Sequence, residues 1–196
     1  GAADLRGPYF RAKAEGEQAA WRIARERGLD LATVLPGGVG GPGFRRRTPT
    51  LDLLEAIMLG SMRFGAPDGN FAYVDVRDVA EGHILAAEKE VGGRFIVTND
   101  VSPTYADFSR TMHEIDPAVP AAPFLLPAFV NAFVPLMDAL SARLNGVRRV
   151  ATAENVSTTM RGGRAYNFSN ARAREELGWA PRFTLRVPLA SAIRSV

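Results

Sequence analysis

Residues 8–37 read PYFRAKAEGEQAAWRIARERGLDLATVLPG, and the fold class turns on this stretch. Pro8 supplies a preorganised first helical turn. Ala12, Ala19, Ala20, Ile23 and Ala24 then carry an alanine-rich helix from about Pro8 to Arg27. Gly28 is its natural C-cap. Leu31 to Leu35 is an apolar run of strand length, ended by Pro36-Gly37. Helix, tight loop and buried strand form one step of a layered α/β structure.

The same helix opens with a pair of chemical interest. Tyr9 and Lys13 are four residues apart, and Lys13 is one of two lysines among 24 basic residues. That spacing sets both side chains on one helix face. An ammonium beside a phenol lowers its pKa from about 10, which makes a phenolic proton donor for carbonyl or alcohol chemistry. The spacing is equally that of a tyrosine stacked on a lysine stem on a solvated face.

Downstream, Gly37 to Gly43 reads as a glycine-rich loop. Gly38, Gly40 and Gly43 formally spell G-x-G-x-x-G, but Pro42 stands where a helix should begin and no helix follows. The stretch is therefore not a first-strand dinucleotide turn, although its glycines would let backbone approach a ligand. Leu51, Leu54, Met58 and Met62 predict a helix from Thr50 to about Arg63. Phe71 to Val76 alternates like a strand that Asp75 interrupts, a helix follows from about Arg77 to Glu90, and Phe95 to Thr98 reads as another strand. Thr104 with Asp107 resembles a capping box for a helix carrying Tyr105, Phe108, Met112 and Ile115. Beyond the proline-rich Pro117 to Pro127 an apolar helix is predicted to about Leu144. Ser169 would cap a helix ending at Leu177-Gly178, with Pro181 enforcing the stop, and Leu185, Leu189 and Ile193 mark a last amphipathic helix.

Composition limits the chemistry. The 196 residues, 46% hydrophobic and 23% charged, suffice for a sizeable core, and no cysteine is present to supply a disulfide, thiolate ligand or thiol nucleophile. His83 and His113 lie thirty residues apart in amphipathic stretches, which argues for packed or rim histidines and against a zinc site or serine–histidine triad. A net charge of +3 with a single dense cluster, Arg45-Arg46-Arg47, is a thin footprint for nucleic acid, and none is expected as a partner. The cluster reads as a solvated loop or as a phosphate contact. Ala121 to Met137 is too short and too proline-interrupted for stable membrane insertion, and no secretory signal opens the chain. A cytoplasmic protein with a greasy substrate wall is expected. The preference for arginine over lysine suggests a GC-rich, bacterial source.

The order of these pieces resembles the C-terminal portion of the extended short-chain dehydrogenase/reductase family, the NAD-dependent epimerase/dehydratase group. Tyr9-Phe10-Arg11-Ala12-Lys13 looks like its catalytic Tyr-x-x-x-Lys. Leu35-Pro36-Gly37-Gly38-Val39-Gly40-Gly41-Pro42-Gly43 looks like its nicotinamide loop. Val74 to His83 is similar to the segment that opens its next helix, and Glu176-Leu177-Gly178-Trp179-Ala180-Pro181-Arg182 resembles its C-terminal signature. Thr48-Pro49-Thr50 and the Val-Arg-Asp-Val-Ala segment look most like the dihydroflavonol-reductase-like and hopanoid-associated sugar epimerase branches.

The resemblance implies the C-terminal part of a Rossmann-type, doubly wound fold plus a mostly helical substrate-binding region. Residues 1–43 would be the remnant of the dinucleotide-binding domain, and 44–196 mainly the substrate region, with 71–99 returning to the sheet. It implies NAD or NADP as cofactor and a small-molecule substrate, with Tyr9 exchanging a proton, Lys13 holding the nicotinamide ribose, and Pro36, Gly37 and Val39 presenting backbone to the nicotinamide. Homodimerisation through the tyrosine-bearing helix is a further implication. The family's glycine-rich first turn, its cofactor-selecting residue and its catalytic serine or threonine all precede the tyrosine, and Gly1 to Pro8 contain neither Ser nor Thr. The expectation is therefore a truncated chain, about half of an oxidoreductase or epimerase, inactive in isolation. The alternative is a non-catalytic remnant acting as a partner-binding or oligomerisation module through an exposed sheet edge.

Overall fold

The computed structural model describes residues 8–44, 46–145 and 168–194. Helix α1, Pro8–Arg27, ends where Gly28 adopts φ 62°, and the Leu29 N–H closes back on the Ala24 carbonyl at 2.9 Å. The chain then reverses into β1, Ala32–Pro36. The predicted glycine-rich loop is in part a strand: β2 spans Gly38–Gly40. It was illegible because three residues, two of them glycine, carry no alternation.

Helix α2, Pro49–Met58, starts at the Thr48 cap and stops short of the predicted Arg63, because Gly60 takes φ 81° and turns the chain. Met62 is still buried, from the turn rather than from the helix. Strand β3 is Tyr73–Asp75, and the Asp75 that breaks the alternation is the N-cap of α3, Val76–Glu88. Strand β4, Gly93–Val97, is followed by α4, Tyr105–Ile115, whose Thr104–Asp107 capping box forms as its sequence suggests. The apolar helix begins later than Pro127. A 3-10 segment, Ala128–Ala132, precedes α5, Val134–Asn145. A π-helical turn, Ala173–Leu177, ends at Gly178 with φ 71°, and α6, Arg186–Ile193, closes the described chain.

Two parallel ladders result. β1 pairs with β4, from Ala32 against Gly93 to Pro36 against Val97, and β2 pairs with β3, from Gly38 against Tyr73 to Gly40 against Asp75. They meet at Pro36–Gly37. The Gly37 N–H still donates to Val97 at 3.3 Å, whereas the Gly38 N–H donates to Ala72 at 2.7 Å. The chain thus changes partner strand within one residue.

β3 divides the interior. Its side chains alternate between faces, so Tyr73 packs with Leu54, Ile57, Phe108, Met112 and Leu189, while Val74 packs with Phe95, Val97, Leu177 and Trp179. Both are fully buried. The C-terminal segment joins the two cores, since Trp179 lies in one and Leu189 in the other. Trp179 donates its indole N–H to the Asp78 carbonyl at 2.8 Å, which satisfies a polar group that burial would otherwise strand.

Candidate active site

Tyr9 and Lys13 share a face, with the Lys13 ammonium 5.7 Å from the Tyr9 ring centroid. Tyr9 is 63% exposed and touches Phe10 edge-on. What fixes them is Glu17, one turn further along. Its carboxylate accepts from the Thr33 hydroxyl at 3.0 Å and from both Nε and Nη2 of Arg94 at 2.8 and 2.9 Å. This clamp ties α1 across β1 to β4. The Arg94 guanidinium holds the Glu17 carboxyl below its ordinary range, against the opposing effect of burial.

The clamp also sets which end of the sheet the tyrosine reaches. Because α1 and β1 run in opposite directions about the Gly28 turn, moving from Glu17 to Tyr9 follows the same direction as moving from Thr33 to Pro36. Eight helical residues cover roughly 12 Å, and three strand residues roughly 10 Å. Tyr9 and Lys13 therefore lie at the carboxyl end of β1, the end at which Pro36 and Gly37 change strand partner. In parallel α/β sheets, ligands settle outside the carboxyl ends of strands where neighbours diverge.

The glycines of the bend answer to the protein itself. A Cβ on Gly38 would stand 2.3 Å from the Phe71 ring, and one on Gly40 would stand 1.6 Å from the Tyr73 hydroxyl oxygen. Gly37 abuts the Ala72 carbonyl in the same way, at 2.8 Å. The small residues admit β3 and the segment before it, which is a different reason from the close ligand approach that the sequence suggests. Pro36 has no N–H and that of Gly37 is engaged by Val97. These two residues can offer a ligand only carbonyl oxygen and apolar surface. Val39 lies within β2, opposite Val74.

Beyond the bend, Pro42, Gly43, Phe44, Arg46, Thr48 and Val76 line an open depression of about 430 Å³. The three arginines before it have separate fates. Arg47 pairs with Asp52 at 3.4 Å and with Glu55, Arg46 lies on the rim of the depression, and Arg45 lies outside the described residues.

Beneath this region sit two fully buried carboxylates whose fixing role the sequence did not announce. Asp75 accepts from the Arg77 backbone N–H at 2.9 Å and from its Nε and Nη2, each at 2.8 Å. Arg77 in turn stacks on Phe183 at 3.6 Å. Asp78 accepts from the backbone N–H groups of Arg182 and Phe183. Desolvation nevertheless raises its pKa. Together they bind the C-terminal segment to α3. Tyr73 is the second tyrosine of this region, but its hydroxyl is buried without a hydrogen-bond partner among the described residues, and burial followed by the Asp75 charge raises its pKa. It is a core residue. His83 and His113 are hydrogen-bonded through Nδ1 to the carbonyls of Val79 and Val119, as rim histidines would be. No helix among the described residues is long and apolar enough to cross a membrane.

Comparison with known proteins gives this geometry a family. Residues 2–98 match the model of the NAD dependent epimerase/dehydratase family. A cinnamoyl-CoA reductase of Medicago truncatula is 33% identical over 116 residues, 57% of this chain and 34% of the relative. The decarboxylating sterol-4-alpha-carboxylate 3-dehydrogenase of Saccharomyces cerevisiae is 27% identical over 173 residues, 81% of this chain and 48% of the relative. Among solved structures, gox2253 superposes with a TM-score of 0.74 at 29% identity over 99% of this chain and 57% of its own. The RMD protein of Pseudomonas aeruginosa, solved with NADPH, shares the fold at a TM-score of 0.64 and 16% identity, over 96% of this chain and 56% of its own. The chain thus spans from about a third to somewhat over half the length of these relatives.

Proposed function

Because this chain belongs, through residues 2–98, to the NAD dependent epimerase/dehydratase family, we propose that it forms the catalytic helix, nicotinamide loop and substrate-facing region of an NAD(P)-dependent reductase or epimerase. The substrate is a small molecule that presents a hydroxyl or carbonyl to Tyr9. The ADP half of the dinucleotide is held by a preceding glycine-rich segment of a longer polypeptide. The share of the relatives' length that the chain spans supports this reading, on which the 196 residues alone would be a poor cofactor binder.

The observation that carries the reading is the placement of the Tyr9–Lys13 pair at the carboxyl end of β1, where the strands diverge. The donor set fits a nicotinamide riboside. An exposed phenol and an ammonium one turn apart are free to meet hydroxyl groups, and the Pro36–Gly37 bend offers carbonyl oxygen to a carboxamide N–H. When bound, the nicotinamide supplies or takes the hydride. Tyr9 gives a proton to the substrate oxygen in reduction and takes it back in oxidation. Lys13 holds ribose hydroxyls and keeps positive charge beside the phenolate that forms, which lowers the cost of the proton transfer. The Glu17 clamp keeps both groups at this end of the sheet.

Lys13→Met tests the division of labour. In the full gene product, coenzyme dissociation measured by nicotinamide fluorescence should weaken by about tenfold, the loss of a charge-assisted hydrogen bond. An unchanged dissociation constant would remove Lys13 from the cofactor site.

A further inference from the structure

The depression beyond the nicotinamide bend has a one-sided chemistry. Pro42, Phe44 and Val76 give it apolar walls, and its polar side chains are Arg46 and Thr48. Arg46 is exposed and has no ion pair or hydrogen bond among the described residues, whereas its neighbour Arg47 is neutralised by Asp52 and Glu55. Thr48 accepts the Leu51 N–H on its hydroxyl oxygen at 3.3 Å, which leaves the hydroxyl proton to donate elsewhere. No acidic residue lines the depression. The nearest buried carboxylate, Asp75, is already held by three hydrogen bonds from Arg77.

Two side-chain donors, one of them a permanent cation, thus line the same depression as an aromatic and aliphatic wall, with no carboxylate among the lining residues. The start of α2 lies at the same place, since Thr48 is its N-cap, and a helix N-terminus adds positive potential. Resting on the family reading above, we infer that Arg46 and Thr48 form the recognition site for the anionic end of the substrate, which is an organic acid or phosphate ester with an apolar body. The guanidinium fork grips two oxygens of a carboxylate or phosphate. Phe44 and Val76 cover the adjoining carbon skeleton. Arg46 would accordingly choose among substrates without touching the reacting carbon, which belongs to Tyr9.

The test needs no cofactor and so stands apart from the hydride chemistry. Titrate the full gene product, free of coenzyme, with 3-phenylpropanoate, with phenyl phosphate and with neutral 3-phenylpropanamide, following amide shifts in nitrogen-labelled protein. Saturable shifts confined to Phe44, Arg46, Thr48 and Val76 are expected with at least one of the two anions, and the better anion shows whether carboxylate or phosphate is preferred. The amide should bind at least about tenfold more weakly. Arg46→Gln should reduce anion affinity by a similar factor and leave the amide unaffected, and Arg46→Lys should restore part of it. Equal binding of anion and amide, shifts centred elsewhere, or an unaltered Arg46→Gln titration would overturn the assignment. The family reading would survive, because Tyr9 and Lys13 are tested by turnover and coenzyme affinity.

Discussion

Glu17 is the residue on which the position of the Tyr9–Lys13 pair depends. Its folded-state pKa is depressed below 4.5 by Arg94, so the folded protein binds this proton less readily than the unfolded chain. The stabilisation is complete above the unfolded value and disappears as pH falls through the folded one. Glu17→Gln should cost about 1 kcal/mol at neutral pH, the worth of a charged hydrogen bond discounted for an exposed arginine. In denaturant titrations the difference from wild type should shrink in acid; a constant difference would show that the clamp is not electrostatic. Tyr73 makes the opposite case. Its buried hydroxyl has no hydrogen-bond partner among the described residues, so Tyr73→Phe should raise stability by about 1 kcal/mol, while the edge-on contact with Phe108 at 5.2 Å remains. A loss of stability would reveal a hidden acceptor.

Elements differ in how plainly the sequence declares them. α1 and α4 are legible because each has an apolar period and a terminal residue with a local function, Gly28 as stop and Thr104 as cap, whereas α3 is legible from its apolar period alone, its cap Asp75 reading only as a break in the strand. β2 is not legible, because its glycines are required by the distant side chains of Phe71 and Tyr73. Two substitutions together test this. Gly40→Ala sets a methyl 1.6 Å from the Tyr73 oxygen and 2.4 Å from its Cζ, and should cost about 2 kcal/mol. In a Tyr73→Phe background the penalty should fall without vanishing, because the ring carbon still crowds the new methyl. Strict additivity in the double-mutant cycle would mean that the two sites do not meet. Helix α2 ends early because the left-handed Gly60 overrides the helical spacing of Leu51, Leu54, Met58 and Met62.

For the whole molecule, the two ladders, the two cores and the C-terminal segment that joins them form one frame. The frame holds α1 across β1 and β4, yet Ala24 is the one buried side chain of this twenty-residue helix. Such exposure, with Tyr9 and Phe10 in its first turn, leaves the surface of this helix accessible to a ligand. The family was legible in the sequence because short signatures occur in order, whereas the clamp at Glu17 and the lock at Asp78 depend on contacts between distant residues. No spacing rule reports these. In the proposed mechanism Tyr9 moves the proton while other groups hold the coenzyme. Steady-state turnover and coenzyme dissociation of the full gene product, compared between wild type and Tyr9→Phe, test it most directly. Turnover should fall by at least about a hundredfold with coenzyme affinity nearly unchanged; undiminished turnover would contradict it.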